Sequence, residues 1–366
     1  MTVIAVFFLN GLTLSTYIVR APSFKAGYHL TDGRFGLAGL LFALAAIACM
    51  QLVGPLTARV GARAILRVTL AVMPVLLAGL AVAPGPWWFT AGTALLGAVH
   101  GTTDAAMNAL AVAVERGAGR PILNGCHAGW SISAVVASLS TAVLAHAGVS
   151  LAVHAVTAGA LLLAAGLVLG PRLPDPPGAA APSSPRAAWS RPLLVLGLTA
   201  TALMICEGGA LGWGGIFLHD VRHATLGLAA MGITAYTGGQ TLGRLTGDRL
   251  TARWGPGPLF RLGVAVAATG LATAVLAPHP GAAVAGFALT GLGSSVLIPL
   301  TFSAVGRLPG PEPAVLVARL TTFMYAGILL GPALIGWSAE FVGLAATMTA
   351  LVPLLLSAAY GSLSLR

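Results

Sequence analysis

Charge is what this chain has least of. Of its 366 residues only 8% are charged and 57% are hydrophobic, whereas a soluble domain carries roughly 25% charged residues. No soluble core absorbs that much apolar surface. Acids are scarcer than bases, nine Asp and Glu against nineteen Lys and Arg, and eighteen of those nineteen are Arg. The net charge of +10 does not point to nucleic acid, because the arginines sit singly or in small groups between apolar blocks and not on one tail or face. Cysteine is rare too: Cys49, Cys126 and Cys206 all lie in apolar blocks without a CxxC partner, as small buried hydrophobes do. The chain also lacks GxxxxGK[ST] and HExxH. Those absences exclude a self-contained ATP-driven pump and leave no cofactor or metal site to expect. In GCHAGWS, Cys126, His127 and Ser131 lie close in sequence, but adjacent Cys and His point about 100° apart on a helix. A hydrolase, and an enzyme in general, is not expected.

What is present is apolar sequence in blocks of about 18 to 27 residues, long enough to cross a bilayer core of about 30 Å as helices. Mean hydropathy is +0.92. Counting blocks between Arg, Pro and Gly breaks predicts twelve spans, near 2–19, 35–56, 66–85, 88–112, 122–146, 149–170, 192–218, 224–247, 258–278, 281–304, 314–338 and 342–363. The first block begins almost at Met1 without a basic stretch before it, so no cleavable signal peptide is expected; a start a few residues upstream would fit as well. With the amino terminus in the cytoplasm, fifteen basic residues fall on the inner side and four, Arg20, Lys25, Arg34 and Arg222, on the outer. That split predicts both termini in the cytoplasm and, in a bacterium, residence in the inner membrane among its lipids.

One break is long and polar: PRLPDPPGAAAPSSPR, residues 171–186, with six prolines. It reads as a stiff cytoplasmic linker. The predicted organisation is an N-terminal six-helix bundle over 1–170, a linker over 171–190 and a C-terminal six-helix bundle over 191–366. A repeat supports the division. LTARVGARAILR (56–67) returns as LTARWGPGPLFR (250–261) at an offset of 194, each after the second span of its half. Gly61 and Gly255 permit a tight turn there, and the arginines hold helix ends at the phosphate layer. A second echo sets Asn10-Gly11 in span 1 against Glu207-Gly208 in span 7, at an offset of 197.

Twelve spans in two halves, with this turn after spans 2 and 8, resemble the major facilitator superfamily. Its signature after span 2 is G-x-x-x-D-R-x-G-R-R; Gly54, Arg59, Gly61 and Arg63 match, while Ala58 stands where the family has Asp. The resemblance implies an inner gate built from these residues and from Asp248, Arg249, Arg253 and Gly255 in the second half, where Asp248 lies a turn early. DAAMNALAVAVERGAGRPILNGCHAGWS and CEGGALGWGGIFL look like a bacterial branch related to fucose permease, with Gly212 where that branch often has Asp. The resemblance implies an all-α fold of two pseudo-symmetric six-helix bundles, with spans 1, 4, 7 and 10 lining a midplane cavity and a sugar-like solute.

The residues themselves point to the same spans. In span 4, His100, Asp104 and Asn108 follow at i, i+4 and i+8 and form one polar stripe. A lone carboxylate in lipid is costly, so the stripe must face protein or water. Asp104 is the candidate proton or hydroxyl site, His100 its partner and Asn108 a hydrogen-bonding ligand; the alternative is a polar pair that only locks helices together. Glu207 is the one acid in the body of span 7, with Gly208-Gly209 and Gly214-Gly215 on either side. Those glycines suit either a break in the helix or close packing. Trp213 is placed to stack on a sugar ring or to anchor at the interface. Asn10, Asn124, His127, Tyr236, Gln240 and Tyr325 complete the candidate solute ligands. Asp104, Glu207 and His100 form the expected proton-coupling set, one acid per half, facing a shared watery chamber. A carboxyl group withdrawn from water favours its neutral form, so a carrier loaded with proton and solute exposes no bare charge to lipid. The expectation is a monomeric secondary carrier of a small polar solute, driven by protons. The alternatives are proton-driven efflux of drug-like amphiphiles and a transport-inactive receptor.

Overall fold

The computed structural model describes residues 1–30, 32–174, 190–224, 226–309 and 313–364. Among the described residues every regular element is helical. Most of the expected linker (175–189, with Arg186) and Arg366 lie outside them.

The first half contains α1 (Thr2–Val19), a short α2 (Ala21–Gly27), α3 (Asp32–Ala81), α4 (Pro86–Ala118), α5 (Leu123–His146) and α6 (Leu151–Leu169). The second contains α7 (Arg191–Gly208), α8 (Gly214–Ile216), α9 (Leu226–Trp254), α10 (Pro256–Leu276), α11 (Pro280–Ser294), α12 (Leu297–Arg307), α13 (Pro313–Val342) and α14 (Leu344–Ser357). Eight described stretches are long and apolar enough to cross a membrane, and one of them, Leu37–Ala81, has 45 residues. At 1.5 Å per residue that stretch would run about 68 Å if straight, twice a bilayer core. It is not straight, because Gly61 turns it back with φ 79° and ψ 150°. Adding α4, α5 and α9, of 33, 24 and 29 residues, gives the twelve crossings expected. α4 is less apolar because it carries His100, Asp104 and Asn108.

Local chemistry sets the helix boundaries. α4, α10, α11 and α13 begin on proline, whose fixed φ suits a first helical position and whose missing N–H costs nothing there. Ser150 and Ser190 cap α6 and α7 by accepting from the amides of Val153 and Leu193. Arg63 and Arg67 donate to the carbonyls of Pro171 (2.7 Å) and Gly170 (3.0 Å). Two arginines of the repeated turn thus satisfy carbonyls at the end of α6, where a cation also suits the helix dipole. Arg20 is buried and donates to His154 Nδ1 at 3.0 Å, joining α1 to α6.

The chain divides into two compact units. The first holds α1 to α4, α5 from Cys126 onward, α6, and α13 as far as Arg319; the second holds the start of α5 up to Gly125, α7 to α12, α13 from Leu320 onward, and α14. Each unit thus includes one short helix start from the other half of the sequence.

Both units repeat the same backbone devices. Gly255 turns with φ 79° and ψ 161°, as Gly61 does. In the first unit a Cβ on Gly97 of α4 would run into the carbonyl oxygen of Phe42 in α3; in the second, a Cβ on Gly291 of α11 would run into that of Tyr236 in α9. Phe42 and Tyr236, like Gly97 and Gly291, are 194 residues apart. Helices in lipid gain no hydrophobic energy from meeting, so small residues that let backbones touch decide where they pack. A further pair, Gly148 (φ 73°) and Gly343 (φ 81°), turns the chain after the fifth crossing of each half, 195 residues apart.

Candidate functional site

In the first unit the polar stripe of α4 gathers an amide from α1. His100 and Asn108 are almost fully buried, and Asn10 of α1 is wholly so. His100 Nδ1 and Asn10 Oδ1 are hydrogen-bonded at 3.2 Å, and the imidazole stacks on Phe42 with centroids 5.7 Å apart and planes 27° apart. Asn108 donates its side-chain N–H to the carbonyl oxygen of Asp104 (2.9 Å) and to the Asp104 carboxylate (3.4 Å). Among the described residues the Asp104 carboxylate accepts its hydrogen bond from Asn108, not from His100, which bonds to Asn10. The glycine after Asn10 has its own purpose: a Cβ on Gly11 would lie 2.8 Å from Trp130 of α5. His127 meets Phe7 edge-on at 5.2 Å, and Ser131 donates to the His127 carbonyl (3.1 Å), so this stripe of α5 is tied within its own unit.

In the second unit the cluster forms around α7 and α9. Gln240 donates to Glu207 Oε1 at 3.2 Å, and the hydroxyls of Tyr236 and Ser294 share a hydrogen bond of 3.1 Å. Between them is a hollow with about 290 Å³ of empty volume counting its opening, lined by Cys206, Glu207, Tyr236, Thr290 and Ser294 among leucines and an isoleucine. Its enclosed part holds about one water molecule. Arg244, two turns beyond Tyr236 on α9, is buried at 7% exposure, and its charge interacts with Glu207 and Tyr236. By its place between spans Arg244 belongs with the arginines of the inner helix ends, yet its side chain is buried. The sequence signal for it is that Tyr236, Gln240 and Arg244 follow at i, i+4 and i+8, which sets all three on one face of α9.

Below the hollow, α7 gives way to a π-helical turn over Gly209–Trp213, then to the three-residue α8 and a second π turn over Phe217–Val221. The glycine pairs do not break the helix but widen it, and π turns re-aim side chains around functional sites. Close packing holds as well: a Cβ on Gly209 would lie 2.5 Å from Leu351 and one on Gly214 3.1 Å from Phe287. Trp213 is half-buried with its ring against Gly336 of α13. Tyr325 is buried in α13.

The residues of the expected gate divide. The Asp248 carboxylate accepts the backbone N–H of Asn124 (3.0 Å) and of Gly125 (2.8 Å) and the Asn124 side-chain N–H (2.9 Å). Lying a turn early therefore puts an acid onto the amino-terminal end of α5, where free amides and the helix dipole favour an anion. Asn124, grouped by spacing with the solute ligands, is bound here to Asp248. Gly54 lies against Val315 at the start of α13, where a Cβ would come within 2.6 Å. Arg59, Arg249 and Arg253 are exposed. Among the described residues no group of three or more His, Cys, Asp or Glu is arranged to hold a metal ion.

Known proteins resemble the chain in both sequence and fold. The Major Facilitator Superfamily profile matches residues 3–235, well over half of the chain. An uncharacterised MFS-type transporter of Yersinia pestis is 31% identical over 357 residues, covering 96% of this chain and 92% of that one. The E. coli fucose:proton symporter FucP superposes with a TM-score of 0.82 at 16% identity, covering 99% and 97% of the two chains. A human organic anion transporter superposes with a TM-score of 0.80 at 14% identity, covering 99% and 98%. Two cargoes of different charge on one fold leave the cargo of this chain to its own side chains.

Proposed function

We propose that this chain, which belongs to the major facilitator superfamily, is a proton-coupled secondary carrier of a small, neutral, sugar-like solute. As a member of that family it is an integral membrane transporter and not an enzyme. The reading extends this to a monomer in the inner membrane with both termini in the cytoplasm, made of bundles at 1–170 and 191–366 joined by the linker at 171–190. The observation that carries it is a half-buried carboxylate in each unit that accepts a hydrogen bond from an amide side chain: Asp104 from Asn108, and Glu207 from Gln240.

Each residue has a task in this reading. Asp104 takes the coupling proton with the solute and releases it once its chamber opens to the cytoplasm. His100, fixed by Asn10 and Phe42, polarises the wall beside it. Asn108, Gln240, Tyr236 and Glu207 offer donors and acceptors to hydroxyl groups, with Trp213, Tyr325, His127 and Asn10 in support. Asp248 on the start of α5, with Arg59, Arg63, Arg249 and Arg253 around the Gly61 and Gly255 turns, closes the inner gate. Alternating access then converts proton binding into solute movement.

Counterflow in proteoliposomes with a panel of neutral hexoses and polyols tests the reading. Exchange of at least one member, with net uptake that falls as outside pH rises and collapses with an uncoupler, is the expected result. Asp104→Asn retains exchange and loses the pH dependence. A carrier that exchanges no member of the panel but binds hydrophobic cations tightly is an exporter of amphiphiles, and one that exchanges nothing is a receptor.

A further inference from the structure

A buried guanidinium inside an apolar bundle needs either an opposite charge or neutral acceptors, as Arg20 has in His154 and the Val149 carbonyl. In the second unit the acid next along its own stripe, Asp248, is taken up by the amides of Asn124 and Gly125. Arg244 stands one turn, about 6 Å, from Gln240 on the same face of α9, and Gln240 already touches the Glu207 carboxylate at 3.2 Å. Among the described residues Arg244 and Tyr236 interact electrostatically with Glu207, and Cys206 lines the same hollow. We infer that Arg244 is the fixed counter-charge of Glu207, and that this neutralises the one acid lining the hollow of the second unit, so that the hollow selects an uncharged, hydroxyl-rich solute. The inference rests on the carrier reading and sharpens it.

The corresponding stripe of the first unit gives the inference independent support. At the offset of 194, Tyr236, Gln240, Arg244 and Asp248 correspond to Phe42, Ala46, Met50 and Gly54. Four non-ionisable residues stand where the second unit has a phenol, an amide, a cation and an acid. A general requirement of the scaffold would have left polar groups at both places. Arg244 occurs only where Glu207 needs a counter-charge. With both charges present a hydroxyl group in the hollow finds an acceptor in Glu207 and partners in Tyr236, Thr290 and Ser294, while Gln240 and Arg244 act on it through Glu207. A cationic or anionic solute would instead leave one member of the pair facing a like charge, which costs affinity.

The test compares Glu207→Gln, Arg244→Gln, the double variant and Arg244→Lys in the full-length protein. Neutral hexoses, an amino sugar and a uronic acid are the counterflow probes, alongside the melting point of purified protein. Each single neutralisation should lower the melting point and cut exchange of neutral sugars by about tenfold or more. The double variant should recover most of the melting point, because no buried charge is left unpaired. Arg244→Lys should retain neutral-sugar exchange. Arg244→Gln should shift preference toward the amino sugar and Glu207→Gln toward the uronic acid, shifts that a purely structural pair would not produce. A double variant no more stable than the worse single one, or single variants with unchanged charge preference, would overturn the inference. If the wild type exchanges none of the probes the carrier reading fails, while the melting-point cycle still decides whether Arg244 and Glu207 are a pair.

Discussion

The two units share a backbone and differ in where they keep their polar groups. In the first, α3 presents Phe42, Ala46 and Met50 on the face whose counterpart in the second is Tyr236, Gln240 and Arg244 on α9. In α4 the first unit has His100 and Asp104, where α11 and α12 of the second have Ser294 and Ile298. One crossing pair shows the exchange directly. Phe42 stacks on His100 in the first unit, and in the second their counterparts, Tyr236 and Ser294, share a hydrogen bond. The positions that let helices touch, Gly97 and Gly291, are alike in both. Duplication has preserved what the backbone needs and left the chemistry free to diverge. The acid of each unit meets an amide, and that of the second also interacts with a buried arginine on the same helix as its amide.

The largest effect should come from breaking what the units share. Gly97→Val and Gly291→Val each drive a side chain into a facing carbonyl, at an expected cost of about 3 kcal/mol or more. Both should abolish recovery of folded protein in size-exclusion chromatography, and tolerance of one alone would undo the equivalence. Next comes the contrast between the acids. Asp104→Asn should reduce uphill transport by about a hundredfold or more, within the range for loss of a proton-transfer group, while leaving exchange intact; Glu207→Gln should instead raise the solute concentration needed for half-maximal exchange. Initial rates at two pH values separate the two outcomes. Smaller again is Asp248→Ala, which removes the acid at the start of α5 and should cost about 1–2 kcal/mol, read as a lower melting point. The smallest is Phe42→Tyr, which moves the first unit toward the second and should change stability by less than about 1 kcal/mol. A larger loss would mean that the stacking on His100 is finely fitted.

Much of this was legible in the chain because the signals were local or periodic. The twelve crossings follow from block lengths, and the Gly61 and Gly255 turns follow from a repeated string, confirmed by matching positive φ angles. The α4 stripe follows from helical spacing. By chain position Arg244 is an inner-end arginine, because position between spans does not reveal which face of the helix a residue occupies. The bond between His100 and Asn10 brings together residues 90 positions apart, which spacing along one helix cannot supply. The capping of α5 by Asp248 joins residues more than 120 positions apart, and no local pattern encodes it.

The sequence by itself determined the solvent of this protein, the number of crossings, the duplicated unit and the turns, because hydropathy and glycine's freedom at positive φ act within a few residues of chain. Only the tertiary structure decided which polar groups answer each other. That Glu207 has Gln240 and Arg244 beside it, that Asp104 is bonded to Asn108, and that α7 widens into π turns instead of breaking all depend on helices from distant parts of the chain meeting at glycine contacts. In an apolar medium a buried charge stays where packing brings a partner to it, and packing is a property of the folded bundle.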